Sequence, residues 1–439
     1  MGCSGSIALI LVAGCAKDLD RDALMDPASC VECHPAHVAE WEGSMHAYAA
    51  EDPVFRAMNA RGQRETNGEL GDFCVQCHAP LAVREGLTTD GLNLDDVPEH
   101  LRGVNCFFCH SAEEVTGDHN APITLATDNI LRGGISNPTR NPAHKAEYSE
   151  LHDREKLASG DLCGSCHDIV TPAGVHLERT YLEWQNSLYS QPIDGLQQTC
   201  GSCHMQGRDD VAADYEGVPL RRVHSHRMAG VDVAITEFPD IDGQLDEVQR
   251  ALNTVVAATM TVCDTGKGIE AVLTLDNVAA GHSFPSGATQ DRRVWIELVA
   301  STKGQPVFST GVIADDEPVA SVDDPNLWRL GERMLDASGA EVHMFWEAHT
   351  VEGELLPAPT SPDPNDPAWI DTHIPRTWTL PAGVDEIHAV IRMRPVGLDV
   401  IDLLIESGDL DAGYREVFPT FTLEGSAVSW TADEGFICP

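Results

Sequence analysis

Basic residues are scarce in this chain: 28 Lys and Arg stand against 70 Asp and Glu, a formal charge of −42. A protein that neutralises phosphates needs a basic stripe, so nucleic acid is excluded as a partner. The same field favours encounter with a basic protein or a cation and fades as salt rises; it also keeps a secreted protein soluble. Aromatic residues are few as well, 6% of the chain, and hydrophobic residues of all kinds make up 42%. For 439 residues, which we read as two domains, apolar side chains alone do not account for the core. A large, flat, apolar prosthetic group would supply the rest and let long stretches do without regular structure. The one apolar run that stands out, at the N-terminus, is too short to span a bilayer.

What the chain does have is cysteine. Ten of its 14 cysteines fall into five copies of Cys-x-x-Cys-His: Cys30-Val-Glu-Cys33-His34, Cys74-Val-Gln-Cys77-His78, Cys106-Phe-Phe-Cys109-His110, Cys163-Gly-Ser-Cys166-His167 and Cys200-Gly-Ser-Cys203-His204. With the chain's own Cys and His frequencies, chance would supply about 0.02 copies of this haem-attachment pattern. Two thiols two residues apart reach the two vinyl groups of one haem, and the next residue places its imidazole under the iron. Zinc knuckles share the Cys-x-x-Cys half, but an odd number of pairs, each followed at once by His, does not build zinc tetrahedra. Thioredoxin-like redox chemistry does not require that histidine either. The reading is five haem c groups and therefore iron.

Covalent haem and further cysteines point to an oxidising, extracytoplasmic compartment, periplasmic or cell-surface. Cys263 and Cys438 flank the C-terminal segment and read as a disulfide closing it, with free thiols as the alternative. The run ending in Leu11-Val-Ala-Gly-Cys15 resembles a bacterial lipoprotein signal, residues 1–15, cleaved so that Cys15 carries a lipid anchor; it departs from an export signal in having no Lys or Arg ahead of the apolar stretch.

Nineteen histidines less five proximal ones leave fourteen for the opposite faces of the irons. Bis-His haem suits outer-sphere electron transfer, whereas an iron with an open face binds and reduces a substrate. The best distal candidate is His46, in a helical stretch over residues 36–50 where Val38, Glu42, His46 and Ala49 share one side. His144, Tyr148 and His152 recur at four-residue steps; on one helix face the two histidines stand about 12 Å apart, suiting two neighbouring haems. Of His224 and His226 one ligand is expected, namely His226. His119, in a polar loop, is a weaker candidate, which makes the third motif the centre short of a sixth ligand. His37, His100, His343, His349, His373 and His388 read as loop or surface residues.

Residues 16–255 hold every haem motif, with short helical stretches at 36–50, 144–157 and 178–189 among Gly/Pro-punctuated loops; the unequal gaps imply no solenoid. From residue 256 to 439 the texture turns to alternating, β-branched runs such as Gly268-Ile-Glu-Ala-Val-Leu-Thr-Leu275 and Arg293-Val-Trp-Ile-Glu-Leu-Val299, which read as a β-sandwich interrupted by a Pro/Asp-rich loop near 356–375. The fold class is α+β, a haem-packed, loop-rich domain followed by a β-sandwich.

Trp41-Glu-Gly-Ser44-Met-His46, Gly103-Val-Asn-Cys106-Phe-Phe-Cys109-His110, Cys163-Gly-Ser-Cys166-His167-Asp168, Glu183-Trp184-Gln-Asn-Ser187 and Cys203-His204-Met205 resemble the multihaem cytochromes c related to the tetrahaem partner of hydroxylamine oxidoreductase. The resemblance covers residues 28–230. It implies haems in close parallel and near-perpendicular pairs, mostly bis-His iron, an electron-carrier role, and His46, His144 and His226 as distal ligands. Ala280-Gly-His282-Ser-Phe-Pro-Ser-Gly287 looks like part of a β-domain that accompanies haem domains in some bacterial multihaem cytochromes; His282 either reaches across to an iron or is a loop histidine. A fifth motif and the β-domain set this chain apart from its tetrahaem relatives. The expected function is extracytoplasmic electron transfer to a redox protein partner. The alternatives are reduction or oxidation of a small nitrogen or sulfur oxyanion at one open haem, and oligomeric assembly through the β-domain.

Overall fold

The computed structural model describes residues 18–438; the lipoprotein-signal reading and Cys15 lie outside them. Each Cys-x-x-Cys-His motif folds as about one helical turn. His34 N donates to Cys30 O at 2.8 Å, His78 N to Cys74 O at 3.3 Å and His167 N to Cys163 O at 3.1 Å, while Cys106–His110 and Cys200–His204 are short helices. A helical turn puts residues three and four apart on one face, so both thiols and the imidazole of a motif emerge together. The turns are held by caps. Asn105 Oδ1 accepts from Phe108 N at 3.0 Å, and Thr199 with Ser202 forms a capping box ahead of the fifth motif.

Residues 18–230 have little other regular structure: short helices, of which Pro53–Glu65 is the longest, and four two-stranded sheets. The expected helix at 144–157 is absent. Lys145–Tyr148 is instead a strand paired in parallel with Ile130–Gly133, followed by a 3-10 turn at Glu150–His152. Asn141 starts an Asx turn, its Oδ1 accepting from Ala143 N and His144 N at 2.9 and 3.0 Å, which sends the chain into an extended path. His144 and His152 therefore share no helix face. The stretch at 36–50 divides into Pro35–Glu42 and Met45–Tyr48 at Gly43 and Ser44. Of 178–189, Thr180–Asn186 is α-helix and Leu188–Ser190 a 3-10 turn.

After the helix Ile241–Val255 the chain forms two sheets. Ile374–Leu380, Ile269–Asn277 and Val256–Asp264 make an antiparallel three-stranded sheet. The seven-stranded sheet runs Glu341–Val342, Arg329–Leu335, Arg293–Thr302, Glu386–Arg394 and Phe421–Thr431, with Gln305–Thr310 and Thr350–Glu354 added beside the path. Alternate residues Ile269, Ala271, Leu273 and Leu275 face a core shared with Val294, Ile296, Leu298 and Ile391 of the other sheet, the period-two pattern of strands with one buried face. Cys263 and Cys438 form a disulfide that ties the C-terminal tail to this sheet. Among the described residues no helix is long and apolar enough to cross a membrane.

The sheets are packed into the loop-rich part. Helix Leu398–Glu406, which follows the strand Glu386–Arg394, packs Ile401 and Leu404 against Val54, Ala57 and Met58 of helix Pro53–Glu65, and Arg64 forks onto Asp409. Val175 and Leu177, beside the fourth motif, pack with Met334 and Ala348. Ile401→Ala, which hollows a fully buried site at this joint, lowers stability by about 2–5 kcal/mol, read as a lower denaturant midpoint for the holoprotein.

Candidate haem centres

A neutral imidazole carries one N–H and one lone pair, so fixing the N–H at Nδ1 leaves the Nε2 lone pair for a metal. Four of the five proximal histidines are fixed in this way against a backbone carbonyl: His34 to Ala212 O at 2.8 Å, His78 to Ala49 O at 2.9 Å, His110 to Arg132 O at 2.6 Å and His204 to Ala229 O at 2.8 Å. His144, His226 and His282 repeat the pattern, with Nδ1 3.1 Å from Lys145 O, 3.0 Å from His224 O and 2.8 Å from Ser283 O. Burial holds His46 and His282 down at about 4 and His226 at about 3, so all three are uncharged at neutral pH.

Those histidines come together in facing pairs. Ring centres are 6.3 Å apart for His34 and His144, 6.3 Å for His110 and His226, 6.1 Å for His167 and His46, and 6.5 Å for His204 and His282. A metal about 2 Å from one nitrogen of each ring, with roughly 1.1 Å from nitrogen to ring centre, requires about 6.2 Å. The separations, the pinned Nδ1 atoms and two cysteines beside each proximal ring fit haem c; among the described residues no cage of three or more His, Cys, Asp or Glu offers a metal ion another place. Interplanar angles are 8° for His204 and His282 and 87° for His167 and His46.

His78 is different. Among the described residues no imidazole stands opposite it at that separation; its ring partner is Phe55, stacked at 3.9 Å and 2°. The third motif, read as short of a partner, has two imidazoles near its His110, His226 and also His152 at 5.7 Å. His152 spends its Nε2 on Cys109 O at 2.7 Å, so its lone pair sits on Nδ1, which is buried without a hydrogen-bond partner, the reverse of the seven rings above. His119 lies in an exposed loop, its Nδ1 held by Asp118 at 2.6 Å, and is brought to no proximal histidine. His37, read as a surface residue, stands 4.9 Å from His226 and 6.1 Å from His34, edge-on to both. It sits three residues after His34, in the first turn of helix Pro35–Glu42.

Thiols of neighbouring motifs lie within interacting range of one another: Cys30 of Cys106, Cys77 of Cys166 and Cys163 of Cys200. First and third, second and fourth, and fourth and fifth motifs are thus adjacent. Cys33 is disulfide-bonded, and that bond would have to be reduced to a thiol before a thioether could form there.

A cluster of acids unmarked by any motif surrounds Arg292, which is 8% exposed, beside the fourth motif. Arg292 forks onto Asp232 at 2.8 and 3.0 Å, and both lie within electrostatic reach of His167. Loss of water pushes Glu178 up to about 7 and Asp52 and Asp291 up to about 6. In sequence these are ordinary acidic residues in an acidic chain, and only the fold gathers them.

A family model described as cytochrome c554 and c-prime matches residues 29–111, a span holding the first three motifs. No curated protein matches the chain. The fold is similar to that of a penta-heme cytochrome c552 from Thermochromatium tepidum, with a TM-score of 0.62 and 20% identity over 92% of this chain and 97% of that one. The architecture, a helical, loop-rich N-terminal part followed by C-terminal sheets, is similar to that of this penta-heme cytochrome. Asn105, 1% exposed, caps the third motif's helix and donates to Met25 O and His100 O, both at 2.9 Å. Asn105→Ala leaves those carbonyls and Phe108 N unpaired and destabilises the protein by about 2 kcal/mol or more, measured as a shift of the denaturant midpoint.

Proposed function

We propose that the chain is an extracytoplasmic electron carrier with five covalently bound haems, four held between two imidazoles and one, at the second motif, with an open face. The observation that carries this reading is the set of facing pairs at 6.1 to 6.5 Å. Cys30, Cys33, Cys74, Cys77, Cys106, Cys109, Cys163, Cys166, Cys200 and Cys203 would form the thioethers. His34, His78, His110, His167 and His204 would be proximal ligands, with His144, His226, His46 and His282 opposite the first, third, fourth and fifth of them. Haem bound in such a site supplies reversible one-electron transfer. The chain's part is to fix seven of these nine rings through Nδ1–H, to keep buried imidazoles such as His46, His226 and His282 neutral, and to set the motifs close together.

The contacts among thiols support an order in which the first motif adjoins the third and the fourth adjoins both the second and the fifth. The charge of −42 supports a basic protein as redox partner. Kinship with the tetrahaem partner of hydroxylamine oxidoreductase, a lipid anchor at Cys15 and a periplasmic or cell-surface setting belong to the same proposal and rest on the sequence motifs.

His78 favours a second reading, catalysis on a small nitrogen or sulfur oxyanion at the second haem. Intact mass should show five haems. Low-temperature EPR of the oxidised protein should show four low-spin haems and one high-spin haem. A high-spin signal that moves on adding nitrite, hydroxylamine or sulfite supports the catalytic reading; five low-spin haems untouched by all three refute the open centre and leave the carrier. Oxidation of the reduced protein by a small cationic complex should be faster than by an anionic one of similar potential, and the gap should close as salt is raised, because only the acidic field separates them. Equal rates at low salt would remove the argument for a basic partner.

A further inference from the structure

Helix Thr180–Asn186 touches two neighbouring centres and the sheet part at once. At its start Tyr181 N donates to His167 O at 3.3 Å and Leu182 N to Asp168 Oδ2 at 3.1 Å, so the helix is braced on the fourth motif. Trp184 Nε1 donates to Gln198 O at 2.9 Å, just ahead of the Thr199 cap of the fifth motif. The remaining polar side chains of the helix's first turn point at the loop 280–287, which carries His282.

The grip on that loop is specific. Glu183 Oε2 accepts from Ser286 Oγ at 2.7 Å and from Ser283 N at 3.2 Å, one residue beyond His282. Thr180 Oγ1 lies 2.8 Å from Ser286 Oγ and accepts from Gly287 N at 3.0 Å. From the other side, Asn277 Nδ2 donates to His282 O at 2.7 Å and Arg292 Nε to Ser286 O at 2.8 Å. Gly281 and Gly287, at the two ends, both have φ +74°, a conformation that side-chain-bearing residues seldom adopt. The sheet side of the loop is thus fixed by its own neighbours. The bonds that fix it relative to the haem part come from Thr180 and Glu183, and Ser283, which Glu183 holds by its N–H, also receives the Nδ1–H of His282 on its carbonyl.

We propose that Glu183 is a positioning residue for the fifth centre, holding loop 280–287 so that His282 stands opposite His204. The inference rests on the reading of His204 and His282 as axial ligands. The glutamate touches neither iron nor haem in this role; it acts through Ser283 and Ser286, where a single side-chain oxygen accepts from both an amide and a hydroxyl.

The test uses the purified holoprotein with its five haems counted by mass, and compares low-temperature EPR of wild type, His282→Ala, Glu183→Ala and Glu183→Gln. His282→Ala should raise the high-spin count by one haem. Glu183→Ala should lose most of the same low-spin signal and leave that of His46 and His167 in place, Glu183→Gln should keep the wild-type spectrum because its amide oxygen still accepts, and Glu183→Ala added to His282→Ala should change nothing more. Ser286→Ala, which removes one arm of the grip, should lose part of the signal and serves if Glu183→Ala fails to fold. A wild-type spectrum for Glu183→Ala or, where that variant does not fold, for Ser286→Ala, with His282→Ala altered, sinks the proposal alone, as does loss of the fourth centre's signal instead of the fifth's. A wild-type spectrum for His282→Ala, or no haem on residues 200–204, overturns the ligand reading and this proposal with it.

Discussion

Everything in the loop-rich part answers to one requirement, that an imidazole present Nε2 and nothing else to the space beside a pair of cysteines. The hydrogen bond from Nδ1–H to a backbone carbonyl meets it, and the carbonyls come from far along the chain. Ala212 serves His34, Ala49 serves His78, Arg132 serves His110 and Ala229 serves His204. Each such bond closes a loop, and loops closed at a shared site constrain one another. A segment without helices or long strands thereby acquires a definite path, because its backbone groups are satisfied at the rings rather than in a ladder.

The same requirement explains what was legible in the sequence. The motifs carry their own geometry, since one turn places both cysteines and the histidine on one face, so the proximal set can be read directly. The partners cannot, because a histidine opposite an iron is marked only by where the fold brings it. His46 and His226 stand out by neighbouring pattern and His282 by its Gly/Pro-framed loop. His144 and His152 were joined by a helical period that the chain does not use. The spacing of His144, Tyr148 and His152 suits a helix, but Asn141 and Pro142 open an Asx turn and the parallel pairing with Ile130–Gly133 satisfies the backbone instead. Local propensity yielded to a tertiary ladder. The sandwich texture after residue 256 was readable because alternation in Ile269–Asn277 and Arg293–Thr302 reflects burial on one face, a property each strand shows by itself.

Nothing local announces that the sheets carry a histidine to the side of a Cys-x-x-Cys-His motif. No motif occurs in them, and read alone they look like a docking or shielding module. The structure places His282 6.5 Å from His204 and nearly parallel to it, and places Arg292, at the edge of the seven-stranded sheet, in a bidentate pair with Asp232 of the haem part. A buried arginine shared between two chain segments is costly unless every donor is used. Here Nε goes to Ser286 O and the two terminal nitrogens go to the Asp232 carboxylate, so the joint that orients His282 is also the joint that satisfies the charge.

The second centre shows the opposite arrangement built from the same parts. His78 has its Nδ1 fixed to Ala49 O, as His34, His110 and His204 are fixed to their carbonyls, yet the group against its ring is Phe55. That residue lies in the first turn of helix Pro53–Glu65, where Asp52 accepts from Val54 N at 2.9 Å and proline starts the turn. The far side of the helix is packed by Ile401 and Leu404 of the sheet part. A ring stacked face to face at 3.9 Å covers the flat side of the imidazole and not the far side of a metal on its Nε2, where a second imidazole would stand about 6 Å away. What holds Phe55 there is burial at the joint: one face of the sheet part brings His282 to 6.5 Å from His204, and another packs the helix that sets Phe55 on His78.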